Sequence, residues 1–200
     1  MTLFLTRYFL RELSAWVLFV PLGSIFILFI GAFTDEPFYF TLMMVMYTCP
    51  LLFSQYFMSQ KKYLTLLTIA PLPRKTIIHA DLAFLSWISL CYVSYALIAS
   101  ALLAALIHRE LLFPTIHEMS FLFGCCLFVI TLYTWLARQN WIPILAFYFV
   151  ILNMHLILPF YTVTPFANAY GLHFLALMLV IASLSYFTMI TLEKRGLLYK

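Results

Sequence analysis

Charge is scarce in this 200-residue chain: 9% of its residues are Asp, Glu, Lys or Arg, against 66% that are hydrophobic. The mean hydropathy is +1.04. A water-soluble domain has no use for that much apolar surface, so a soluble fold is excluded. Several chemical signatures are missing as well. The chain has no Gly-x-x-x-x-Gly-Lys-Ser/Thr, no Gly-x-Ser-x-Gly, no His-Glu-x-x-His and no paired glutamates on a helix. That removes the usual sequence routes to a bound nucleotide and to an activated hydrolytic nucleophile, and the chain does not read as an enzyme. The four cysteines, Cys49, Cys91, Cys125 and Cys126, have no metal-type spacing and lie in apolar runs. They read as buried small hydrophobes. The net charge of +4 does not point to nucleic acid, because membrane topology accounts for the cations. No internal repeat or low-complexity tract is visible, and no polar stretch is long enough to fold alone, so a single transmembrane domain is expected.

What the chain does have is repeated apolar runs of about 20 residues, the length of a membrane-crossing helix. Backbone groups in lipid must be satisfied within the element, and the runs lack the strict alternation of barrel strands, so helices are expected. The runs predict an all-α polytopic membrane protein with six spans, at about 14–33, 38–58, 82–107, 119–137, 141–159 and 171–192. Residues 1–13, with Arg7 and Arg11 four apart and Leu5, Phe9, Leu10 and Leu13 on another face, predict an amphipathic helix lying on the inner surface. A signal peptide is the alternative; the run that follows is long and carries no small-x-small cleavage site. The loop at 160–170, polar but uncharged, is expected outside as a re-entrant or interfacial segment, either capping a cavity or merely connecting.

Orientation follows from the cations. With the N-terminus inside, ten of the eleven Lys and Arg fall on the inner side and only Arg109 outside, while Asp35, Glu36, Glu110 and Glu118 fall outside. Both termini are therefore expected in the cytoplasm, in a multi-pass protein of the cell membrane, most simply a bacterial plasma membrane.

The most distinctive interval is 61–81, KKYLTLLTIAPLPRKTIIHAD. Lys61, Lys62, Arg74 and Lys75 rim a greasy middle, and Pro71 and Pro73 forbid a continuous helix. The pattern predicts a short helix near 63–70, a proline turn, and a restart near Lys75. Such an element suits the inner membrane surface or a protein partner; the plainer reading is a basic loop that only fixes topology. Asn153 and His155 lie within the fifth span and mark either a pathway or a helix–helix hydrogen bond. His108, Arg109, Glu110, His117 and Glu118 permit a divalent-metal reading, but their spacing fits no compact ligand motif, and solvated helix ends with Pro114 between them is the default. His79 and Asp81 invite a haem or proton-relay role; charge balance at the membrane surface is the simpler account.

The spans, the amphipathic start and the stretch LTLLTIAPLPRKTIIHADLAF together resemble the membrane subunit of ABC-2 type exporters. The leucine run and the "P-L-x-R" that follows it are carried by Leu64, Leu66, Leu67, Pro71, Leu72, Pro73, Arg74, Ile77 and Ile78. Small haem-exporter permeases share a similar size and a similar run. Ser59, Gln60, Lys61 and Lys62 stand where such loops often have an acidic residue and a glycine. The resemblance implies a permease subunit whose inner loop, 60–81, couples to a separate cytosolic ATPase through Leu64, Leu67, Pro71, Leu72, Pro73, Arg74, Lys75 and Ile77. ATP and magnesium would bind that partner, with no cofactor on this chain. A second membrane subunit would complete the pathway, and the cargo would be a hydrophobic or amphiphilic peptide, lipid, drug or haem-like molecule. Two other classes remain open: a substrate-binding module of an uptake system, for which Ala101 and Ala105 offer one small-residue pair, and a non-transporting immunity or structural protein.

Overall fold

The computed structural model describes residues 22, 25, 26, 28, 29, 33, 38–46, 48, 49, 53, 74–108, 114–136 and 160–194. The interfacial helix at 1–13, the fifth span and the leucine run of 61–73 lie outside the described residues. Among the described residues the fold is all helical. Residues 38–46 form α1, and residues 48 and 49 are also helical. Three longer helices follow: α2, Arg74–His108, α3, Ile116–Leu136, and α4, Phe160–Lys194. Each contains a stretch long and apolar enough to cross a bilayer, at Ile78–Ile107, Ile116–Thr134 and Thr162–Leu192. The chain is a membrane protein by this measure.

α2 has neither Gly nor Pro in its 35 residues, so nothing interrupts it. It starts directly after Pro73, where a missing N–H removes a donor that a helix start leaves unpaired anyway. This is the restart expected near Lys75, and it makes the last part of the 60–81 stretch the foot of a membrane helix. Its buried face runs through Ile78, Asp81, Leu85, Ile88, Tyr92 and Ala96, while Trp87, Leu90, Ile98, Leu102 and Leu106 point outward. In water that outward row would be a defect; in a bilayer it is the lipid-facing surface.

α4 corrects the sequence reading. The loop expected at 160–170 is the first part of a continuous 35-residue helix that carries Pro165 inside it. At the sixth position Pro165 is past the four N–H groups a helix start leaves unpaired, so it removes the bond to the carbonyl of residue 161. One such loss near an end is tolerated.

α3 packs most extensively on α4, and the contacts fix their relative direction. Thr115 meets Asn168 at one end, a Cβ on Gly171 would fall on the His117 carbonyl, and Gly124 lies against Phe174 and Leu175. Residue numbers rise together, so α3 and α4 run parallel. Their approach is close because a glycine stands at each of two contacts, Gly171 over the His117 main chain and Gly124 against Phe174. α2 runs the opposite way to α4, since His79 near its start meets Tyr186 near the end of α4. α1 is tied to α2 by the Thr41 hydroxyl, which donates to the Ser100 hydroxyl at 3.1 Å. The core these helices share includes Met44, Val45, Phe53, Phe84, Leu122 and Tyr133, with the rings of Phe53 and Tyr133 edge-on at 5.5 Å.

Candidate functional site

The resemblance-based coupling residues are placed only in part. Arg74, Lys75 and Ile77 fall in the first turn of α2; Leu64, Leu67, Pro71, Leu72 and Pro73, like Asn153 and His155, lie outside the described residues. One turn beyond this foot stands the junction of α2 with α4. The ring nitrogen Nε2 of His79 and the Tyr186 hydroxyl share a hydrogen bond of 2.5 Å, with the donor set by the histidine tautomer. The two rings also stack, with centroids 5.8 Å apart and planes 26° apart. His79 is thus engaged by a side chain 107 positions away, a pairing that no local pattern reports. α2 and α4 otherwise touch little, so this pair is their main tie. Tyr186→Phe keeps the stack and removes the hydrogen bond; it is expected to lower bundle stability in detergent by on the order of 1 kcal/mol, read as a fall in the unfolding temperature.

Asp81, expected near the start of a restarting helix, lies two turns into α2, is 3% exposed and sits on the buried face of that helix.

The opposite end of the bundle holds a polar bridge. Thr115 precedes α3, and Glu118 is its third residue. The Thr115 hydroxyl accepts from the Glu118 N–H at 3.2 Å, and the Glu118 carboxylate accepts from the Thr115 N–H at 2.7 Å. That is a reciprocal capping box, which satisfies two orphan donors at once. Asn168 of α4 then engages both members. Its amide N–H donates to Glu118 Oε1 at 3.1 Å, and its Oδ1 accepts from the Thr115 hydroxyl at 2.7 Å. Thr115 and Asn168 are exposed, as a solvated helix end requires, but Glu118 is 7% exposed and pins α3 to α4. The neighbouring His117 keeps Nδ1 buried and without a hydrogen bond. Among the described residues, no three His, Cys, Asp or Glu side chains converge as a metal site. The Thr-x-x-Glu spacing was the available signal for this bridge.

Between α1, α3 and α4 lies a cleft of about 470 Å³. α1 contributes Met43 and Met46, and α3 contributes Phe121, Cys125 and Phe128. α4 closes it with Thr162, Val163, Phe166 and Met178. Sealed and empty, a space of that size would forgo roughly 11 kcal/mol at ~24 cal/mol per Å³, as much as a whole domain's stability. It is not sealed: Phe128 and Phe166 are exposed at its edge. Cys125 lines the cleft, and Cys49 and Cys126 are buried as expected, whereas Cys91 is exposed on the outward side of α2. Ala101, half of the small-residue pair considered for docking a partner helix, is buried within the bundle and is not offered to a partner.

Compared with known proteins, the chain matches no family model, no curated protein and no solved structure. The functional reading therefore rests on the residues themselves.

Proposed function

We propose that this chain is the membrane-spanning permease subunit of an ATP-driven ABC-2 type exporter, driven by a separate cytosolic ATPase that grips residues 61–81. The observation that carries the reading is the unbroken helix beginning at Arg74. Thirty-five residues without Gly or Pro, beginning directly after Pro73 in the sequence, form a stiff lever. A push on the bend is delivered through the His79–Tyr186 tie to α4, and from α4 to α3 through their close contact. Rocking of such a bundle against a second membrane subunit gives alternating access.

In the six-span reading the parallel α3 and α4 are joined by a return pass, for which the sequence offers the apolar run at 141–159. The start of α2 and the end of α4 share one end of the bundle, and Arg74, Lys75, Lys194 and Arg195 cluster in sequence at those termini. An excess of cations at one end marks it as cytoplasmic. The multi-pass location in a bacterial plasma membrane belongs to the same proposal.

The test is to co-purify the chain with its ATPase and measure transport-stimulated hydrolysis. Arg74→Glu with Lys75→Glu is expected to lower that stimulation roughly tenfold, a loss of about 1.4 kcal/mol of coupling, with insertion unchanged. Full stimulation in the double variant, or no co-purifying ATPase, would remove the exporter reading.

A further inference from the structure

We propose that the cleft between α1, α3 and α4 binds one hydrocarbon chain of a bilayer lipid, with the headgroup at the Thr162 end and the chain reaching toward Met178. Shape points to this occupant. From Thr162 to Met178 the helix rises about 24 Å. A volume of about 470 Å³ lined by α4 residues along that rise makes the cleft narrow for its length. That suits one extended alkyl chain. A peptide helix, about 10 Å across, does not fit.

Chemistry agrees with shape. The lining is apolar apart from the Thr162 hydroxyl and the Cys125 thiol, so a file of water would find almost no partners. The three methionines that line it, Met43, Met46 and Met178, are flexible and polarizable, and can follow a chain that bends. Thr162 opens the apolar segment Thr162–Leu192, which sets it at the depth where headgroups lie. Access is lateral: Phe128 is 38% and Phe166 50% exposed, on a bundle whose outward surface faces the same lipid. The proposal needs only that the bundle lies in a bilayer, and stands apart from any ATPase partner.

The test uses the full chain in non-ionic detergent and native mass spectrometry with palmitoyl-oleoyl phosphatidylcholine. One lipid is expected to stay bound per chain. Palmitoyl lysophosphatidylcholine, with one chain, should displace it; glycerophosphocholine, the same headgroup without a chain, should not. Met43→Trp and Thr162→Phe fill the cleft and are each expected to weaken retention roughly tenfold, while Leu184→Trp, on the lipid-facing side of α4, leaves it unchanged. Folding of each variant is checked by circular dichroism. Wild-type retention in a folded, filled variant overturns the proposal. So does displacement by the headgroup alone, which is read on the wild type and needs no variant to fold.

Discussion

Gly171→Val is expected to abolish the folded bundle. A Cβ at this position would fall on the main-chain carbonyl of His117, and main chain cannot step aside as a side-chain tip can. The helices must separate, and with them go the buried contacts of Ala167 and Leu122 and the bridge at Glu118. Even Gly171→Ala should lose upward of ~3 kcal/mol, in the range that marks forced overpacking. Gly124→Ala provides the contrast. Its Cβ would meet the edge of the Phe174 ring at 2.6 Å, and a ring on a half-buried side chain can rotate away. About 1 kcal/mol is expected there. Thermal unfolding of the two alanine variants in detergent compares them directly; equal losses would mean that α3 and α4 do not approach as closely as described.

Glu118→Ala is expected to be the most damaging single polar substitution. It leaves the Thr115 N–H and the Asn168 amide without their acceptor at a part-buried helix end. Loss of a cap and of one further hydrogen bond together come to about 2 kcal/mol. Asn168→Ala should lose roughly 1 kcal/mol, since the capping box itself survives. The two residues share one network, so the double variant should be less destabilised than the sum by about 1 kcal/mol. Strict additivity in that cycle would mean the bridge is not made.

Much of the fold class was legible, and for a simple reason. Long apolar runs have one solution in lipid, so all-helical architecture and membrane residence follow from composition alone. The start of α2 was legible because proline acts locally. What failed was reading polarity as loop. Thr162, Thr164, Pro165 and Asn168 look like a connector, yet α4 runs through them, because a membrane helix can turn Asn168 inward to a partner that lies far off in sequence. The burial of Asp81 on α2 was not legible, because burial depends on helices distant in sequence. Glu118 was misread although its Thr-x-x-Glu spacing was in plain view; burial of the box depended on α4, which no local pattern reports. Gly124 and Gly171 are likewise visible in the sequence, but only contact shows that one meets Phe174 and the other the His117 main chain.

The unequal helix lengths have a consequence of their own. Among the described residues the apolar segment of α3 spans 19 residues and that of α4 spans 31, about 28 Å against about 46 Å of rise. A hydrocarbon layer near 30 Å matches the first and falls well short of the second. Because the two are clamped side by side, α4 cannot lean over independently to shed its excess. The bilayer must thicken around it or the whole bundle must tilt, and either response ties this protein's preferred surroundings to membrane thickness.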